Sequence, residues 1–171
     1  MEAGRRISVR RATPNDAVAV ARVLNGVIRE GHYTIFDREF SDDEERAFLA
    51  ALGEREVVHV ALVEDEIVGV QAVSRFSTMS DALGHVATMG TWVSPSYRGN
   101  GLGRALAASS FRFATEHDYG KIVIYVLADN DRALAFYKSL GFTEIGIARK
   151  HVRLGGIFKD EMFLERPLAS R

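Results

Sequence analysis

Residues 93–104, Val-Ser-Pro-Ser-Tyr-Arg-Gly-Asn-Gly-Leu-Gly-Arg, restrict the fold more than any other stretch of the chain. An apolar run ends at Val93, and Pro95 has no amide to continue a sheet ladder. A helical pattern follows, with Leu106, Ser110 and Phe113 on one face. Between strand and helix stand Gly99, Gly101 and Gly103, which let the backbone approach a ligand and present its amides. The helix N-terminus adds partial positive charge, so the segment is an anion site suited to a pyrophosphate, flanked by Arg98 and Arg104. A mobile turn is the competing reading of the glycines alone. The Gly-Lys-Ser/Thr ending of a Walker loop is missing, and the last two glycines stand too close together for a dinucleotide fingerprint.

The rest of the chain arranges itself around this unit. Residues 7–10 alternate as a half-buried strand, and Thr13-Pro14 reads as a helix start, with Ala17, Val20, Leu24 and Val27 at helical spacing. Residues 29–40 have no period and read as a loop; Ser41-Asp-Asp-Glu44 is a capping box for a helix over 42–52. Runs at 57–63 and 67–73 form a hairpin about Glu64-Asp65-Glu66, a linker covers 76–83, and a third strand covers 85–93. After the glycine loop and its helix come a buried strand at 121–127, a helix at 130–140 stopped by Gly141, and a hairpin of 143–152 with 157–164 about Gly155-Gly156. The strand-helix-strand order after His85 predicts one parallel contact within an otherwise antiparallel sheet, in a mixed α/β sandwich.

The 171 residues fit one domain, 1–171, with a sizeable core. A net charge of −1 argues against a broad grip on nucleic acid. The absence of cysteine excludes disulfides, thiolate metal sites and a cysteine nucleophile. No run approaches the roughly 20 apolar residues of a membrane span, and residues 1–9 lack the apolar stretch of a signal peptide, so a cytoplasmic protein without membrane partners is expected.

Arg98-x-x-Gly101-x-Gly103, with Val93-x-Pro95 before it and an amphipathic helix after it, resembles the acetyl-CoA signature of the GNAT superfamily of N-acetyltransferases. Asn130-x-x-Ala133-x-x-Phe136-Tyr137-x-x-x-Gly141-Phe142 resembles that superfamily's second half-motif, at the usual distance. The resemblance spans residues 7–164. Within the superfamily it is nearest the phosphinothricin and amino-acid N-acetyltransferases, through Leu24-Asn25, Tyr33-Thr-Ile-Phe36, Asp43-Glu-Glu-Arg46 and the tail at 155–162. The implied fold is a mixed, mostly antiparallel central sheet flanked by helices, with a parallel strand pair splayed at the cofactor site.

The resemblance also implies roles. Acetyl-CoA is the co-substrate and no metal takes part; the acetyl group passes to a primary amine of a small molecule, an amino acid or a related amine or xenobiotic, by direct attack on the thioester. Its phosphates lie on Arg98, Gly99, Asn100, Gly101, Leu102, Gly103 and Arg104. Thr91, Trp92 and Val93 lend backbone groups to the pantetheine arm and the thioester carbonyl. Asn130 bonds the pantetheine, caps its helix, or does both. Tyr137 protonates the leaving thiolate, its phenol being a donor at neutral pH; a core aromatic is the alternative.

No general base is assigned. Thr88 and Tyr125 occupy the positions where relatives carry a glutamate, so a water chain held by backbone carbonyls and Thr88 is one substitute. Glu30, His32 and Asp37 on the early loop are further candidates whose simpler reading is as solvated loop residues, and His85 and His151 read as structural strand histidines. A protein N-terminal or lysine acetyltransferase, and a non-catalytic acetyl-CoA-binding regulatory domain, remain alternatives; a homodimer is left open. Tyr33, Ile35, Phe36 and Phe40 suggest a partly apolar pocket for a small molecule.

Overall fold

A computed structural model describes residues 6–168; the start of the chain, on which the expectation about a signal peptide rests, lies largely outside them. The chain forms β1 (Ile7–Arg11), α1 (Ala17–Ile28), α2 (Asp42–Ala50), β2 (Val57–Val63), β3 (Glu66–Arg75) and β4 (Val86–Val93). It continues through α3 (Leu102–Glu116), β5 (Lys121–Leu127), α4 (Asp131–Ser139), β6 (Thr143–Leu154) and β7 (Ile157–Pro167). The seven strands make one sheet in the order β1-β2-β3-β4-β5-β7-β6, antiparallel throughout except for β4 beside β5. This is the mixed α/β architecture expected from the sequence.

Local chemistry sets the joints. Asp16 takes both guanidinium nitrogens of Arg10, each at 2.8 Å, and the Thr13 amide at 2.7 Å. Pro14 therefore opens a short 3-10 turn (Pro14–Asp16), and α1 begins only at Ala17, later than the Thr13-Pro14 signal suggests. The β2–β3 hairpin turns on two residues rather than three, with Glu64 and Asp65 both at positive φ (50° and 69°). That is the backbone twist a two-residue hairpin needs, adopted here without glycine. Ser41 and Glu44 form the expected capping box at α2.

Strand register sorts the side chains onto two faces. On one face Val58, Val60 and Val70 pack beneath α1 and α2, where Val20, Val23, Leu24 and Leu49 are buried. On the other, Ile122, Ile124, Met162 and Leu164 pack with Phe113 of α3 and with Tyr137 and Phe142. Leu102 and Leu106 of α3 join Ala61, Val63 and Val68 on that same side.

Candidate active site

The site originates where the sheet parts. β4 and β5 pair only from Val86 to Thr88 against Lys121 to Val123. Beyond those residues each strand keeps its other neighbour, β4 with β3 as far as Val93 and β5 with β7 as far as Leu127. Two strand edges therefore face each other across a gap with backbone donors and acceptors directed into it. The gap opens into a cavity of about 630 Å³.

At one end of the cavity lies the glycine loop. Gly99 and Gly101 both sit at φ +82°, a conformation that side-chain-bearing residues rarely adopt. Gly101 is the residue before α3, and helical geometry leaves the amides of Leu102, Gly103 and Arg104 without intrahelical acceptors. No side chain atom comes within 4 Å of a Cβ built on Gly101, so the approach is open. Gly103 serves packing instead: a Cβ there would stand 2.9 Å from the Phe136 ring of α4. Arg104 lines the cavity and donates to Ser139 at 3.2 Å, and Arg132, from the first turn of α4, adds a third lining arginine that sequence reasoning missed. Amides without partners, space and cationic side chains at one end fit the phosphates of acetyl-CoA. Asn100 stands apart: it is exposed, does not line the cavity, and turns its amide to the Tyr97 carbonyl at 3.2 Å.

Arg98 is held from three sides. Its guanidinium makes a two-pronged pair with Glu30, its Nε donates to the Val93 carbonyl at 3.0 Å, and it lies over the Tyr33 ring. Glu30 is thus not the solvated loop residue expected from the sequence but the strut that ties the end of α1 to the phosphate loop. Asn25 does the same for the far end of residues 29–40, accepting from and donating to the Phe40 backbone at 2.9 and 2.8 Å. The loop is therefore clamped at both ends, and His32 and Asp37 within it are exposed. Glu30→Ala should lower stability by about 2 kcal/mol, because it leaves a largely buried guanidinium without its counter-charge. Urea unfolding of the variant beside wild type checks this.

Tyr137 projects from α4 toward the gap on the α3 side of the sheet. It is 6% exposed, and its hydroxyl donates to Thr91 Oγ1 at 2.9 Å. Gln71 Nε2 donates to the same oxygen at 2.8 Å. Burial pushes the phenol up to about 12, so it stays protonated through the physiological range. Thr91 hence holds the tyrosine with its side chain, besides whatever its backbone offers. Trp92 points to the opposite face, stacked on Phe36 with centroids 5.7 Å apart and filling the space that a side chain on Gly90 would occupy. Val93 lines the cavity, as does Asn130, whose Oδ1 caps α4 by accepting from the Ala133 amide at 3.1 Å.

The structure brings Thr91, Trp92, Val93, Arg98, Gly99, Gly101, Leu102, Gly103, Arg104, Asn130 and Tyr137 around one cavity. It adds Glu161 of β7, which the sequence reading passed over. Of the two histidines read as structural, His85 is exposed just before β4, and His151, exposed on β6, lies against Phe163. Among the described residues no group of three or more His, Asp or Glu side chains could hold a metal ion.

Comparison with known proteins converges on the same elements. N-alpha-acetyltransferase RimI of Mycobacterium tuberculosis is 37% identical over 53% of this chain and 54% of its own length. A mycothiol acetyltransferase of Kocuria rhizophila is 37% identical over 57% of this chain and 30% of its own. The chain thus spans about half the length of the first relative and less than a third of the second. A GNAT superfamily phosphinothricin acetyltransferase from Sinorhizobium meliloti, solved in complex with acetyl-CoA, superposes with a TM-score of 0.87 over 95% of this chain and 89% of its own; at 22% identity this is a likeness of fold. The sequence profile of the Acetyltransferase (GNAT) family matches residues 26–142, from the end of α1 and the clamped loop through the splayed strands and glycine loop to just past α4, and the chain belongs to that family.

Proposed function

We propose that the chain is a single-domain, acetyl-CoA-dependent N-acetyltransferase that acylates a primary amine of small-molecule size by direct attack on the thioester. The observation that carries this reading is the gap between β4 and β5, which leads from the open amides at the start of α3 past the Tyr137 hydroxyl to the opposite face of the sheet. An elongated thioester fits that course with its phosphates at the loop and its acetyl group between the strands.

The residues then divide the work. The loop amides from Gly99 to Arg104, with the Arg104 and Arg132 guanidinium groups, bind the phosphates. The strand edge at Thr91–Val93 supplies backbone donors to the pantetheine arm and to the oxygen on which charge develops, a kind of contact worth several kcal/mol. Arg98, committed to Glu30, shapes the loop rather than contacting phosphate as its main task. An alkylamine titrates near 10.4, so at neutral pH only about one molecule in a few thousand arrives unprotonated, and the acceptor side must remove a proton. Tyr137 supplies the proton that the departing sulfur takes. Burial makes its phenol a weaker acid, but the same burial also disfavours a bare thiolate, so the transfer is less uphill than the phenol alone implies.

Residues 29–40, fixed at both ends, wall the acceptor side with Tyr33, Thr34, Ile35 and Phe36, which suits a compact amine better than an extended peptide. Acetyl-CoA at a hundred times its dissociation constant should stabilise the fold by about 2.7 kcal/mol, read as a raised melting temperature. A melting curve unmoved by saturating acetyl-CoA would end this reading.

A further inference from the structure

The sheet register carries one carboxylate to the side of the gap opposite Tyr137. Met162 pairs with Val126 and faces the α3 side with Tyr137, so its neighbour Glu161, opposite Leu127, faces the α1 side. Glu161 is 4% exposed and lines the cavity. The His151 ring stands beside it, with Nε2 3.7 Å from Oε2.

That neighbour is placed by a distortion in β6. Ala148 pairs with Glu161 and Val152 with Lys159, so three residues of β6 stand against one of β7. Lys150 takes a positive φ there, and Asp160 pins the bulge by accepting from the Lys150 amide at 2.8 Å and from Arg149 at 2.7 Å. His151 is thereby turned over Glu161 while remaining 54% exposed, which links a buried carboxylate to solvent. Burial raises the Glu161 carboxyl above its ordinary range, with His151 opposing, as suits a group that must take up a proton.

The surroundings describe what would bind. Tyr125 and Phe163 meet edge to face at 4.9 Å on the same side of the sheet, and Phe76 lies 6.1 Å beyond Tyr125. Among the described residues lining the cavity Glu161 is the single carboxylate, while Arg98, Arg104 and Arg132 come from the glycine loop and the helix starts. The acceptor end thus offers a carboxylate and aromatic walls, and the guanidinium beside those walls, Arg98 over Tyr33, is already committed to Glu30 and not free to receive an acid group.

We propose that Glu161 is the catalytic base on the acceptor side, and that the acceptor is a primary amine with an aromatic or aliphatic body and no carboxylate. The inference rests on the acetyl-transfer reading. Glu161 takes one proton from the ammonium group and releases it to solvent along His151. The freed nitrogen pair forms the C–N bond to the acetyl carbon, and the C–S bond breaks with its electron pair on sulfur. Sulfur takes the Tyr137 proton, and the remaining surplus proton on nitrogen restores the phenol. The balance is ammonium plus thioester giving amide, thiol and one proton.

Release of coenzyme A thiol, measured with 2-phenylethylamine and with phenylalanine, tests it, alongside calorimetric binding of acetyl-CoA. Wild type should acylate 2-phenylethylamine with kcat/KM at least about tenfold above that for phenylalanine, and Glu161→Gln should lower the former about a hundredfold with acetyl-CoA affinity unchanged. Should Glu161→Gln not fold, Glu161→Asp, which draws the carboxylate back, is expected to lose activity in the same direction. Unaltered kcat/KM in whichever variant folds, or preference for phenylalanine, overturns the proposal. A wild type that binds acetyl-CoA without turning over 2-phenylethylamine overturns it too and leaves the cofactor reading standing; failure to bind acetyl-CoA overturns both.

Discussion

Tyr137→Phe should lower kcat about a hundredfold while leaving acetyl-CoA affinity near that of wild type, since general acid catalysis typically contributes 10²–10⁴-fold. The ring stays, so its packing against Phe136 and Phe142 survives. The hydroxyl's loss is softened because Thr91 Oγ1 still receives the Gln71 amide at 2.8 Å. Stability should fall by only about 1 kcal/mol, the ordinary net worth of one hydrogen bond. In a domain of this size that is roughly 2–4 °C in Tm. The effect belongs in kcat because the proton reaches sulfur only as the C–S bond breaks, an interaction absent from the ground state. A variant with reduced Tm but undiminished kcat at saturation, in an enzyme limited by chemistry, would make the hydroxyl a structural partner of Thr91 alone.

Gly101→Asp should cost at least about a hundredfold in acetyl-CoA affinity. Two charges about 4 Å apart repel by about 4 kcal/mol at the effective dielectric of a protein surface, and the loop is where the phosphates would lie. The protein itself has room for the side chain, as nothing stands within 4 Å of a Cβ at that position. What the substitution does strain is the backbone, since φ is +82°, at a cost of about 1–2 kcal/mol. Gly101→Ala carries that strain without the charge and separates the two effects. Calorimetric titration of both variants decides the matter: equal affinities would place the phosphates away from this loop.

Most of the fold was legible because periodicity and punctuation agree along the chain. The two hairpins, the capped α2 and the strand-loop-helix unit at 93–104 each carry local signals that packing did not override. The hairpin at Glu64-Asp65 was placed correctly but one residue too long, since glutamate and aspartate give little warning of left-handed backbone. The glycine-loop end of the cavity was legible for the same reason: residues 91–104 are contiguous. The opposite end was not. Glu30 and Arg98 are 68 residues apart, and nothing near either announces the other. Glu161 sits in a strand of mixed polarity whose register with β5, and the β6 bulge beside it, decide which way it faces. A one-residue slip would turn it into the core, and no alternation in residues 157–164 fixes that choice.

The parting of β4 from β5 also divides the molecule mechanically. Three registered residue pairs join a four-stranded half-sheet to a three-stranded one. The amides along the edges at 89–93 and 124–127 gain nothing from each other, so across the middle of the sheet backbone pairing is confined to that short seam, and the rest of the connection is side-chain packing and the α3 crossover. A bound molecule lying between the strands and hydrogen-bonding both edges would restore the missing ladder, and the two halves would then open and close as one unit rather than two. On this view the same break that admits the reactant makes the reactant a load-carrying part of the sheet while it is there.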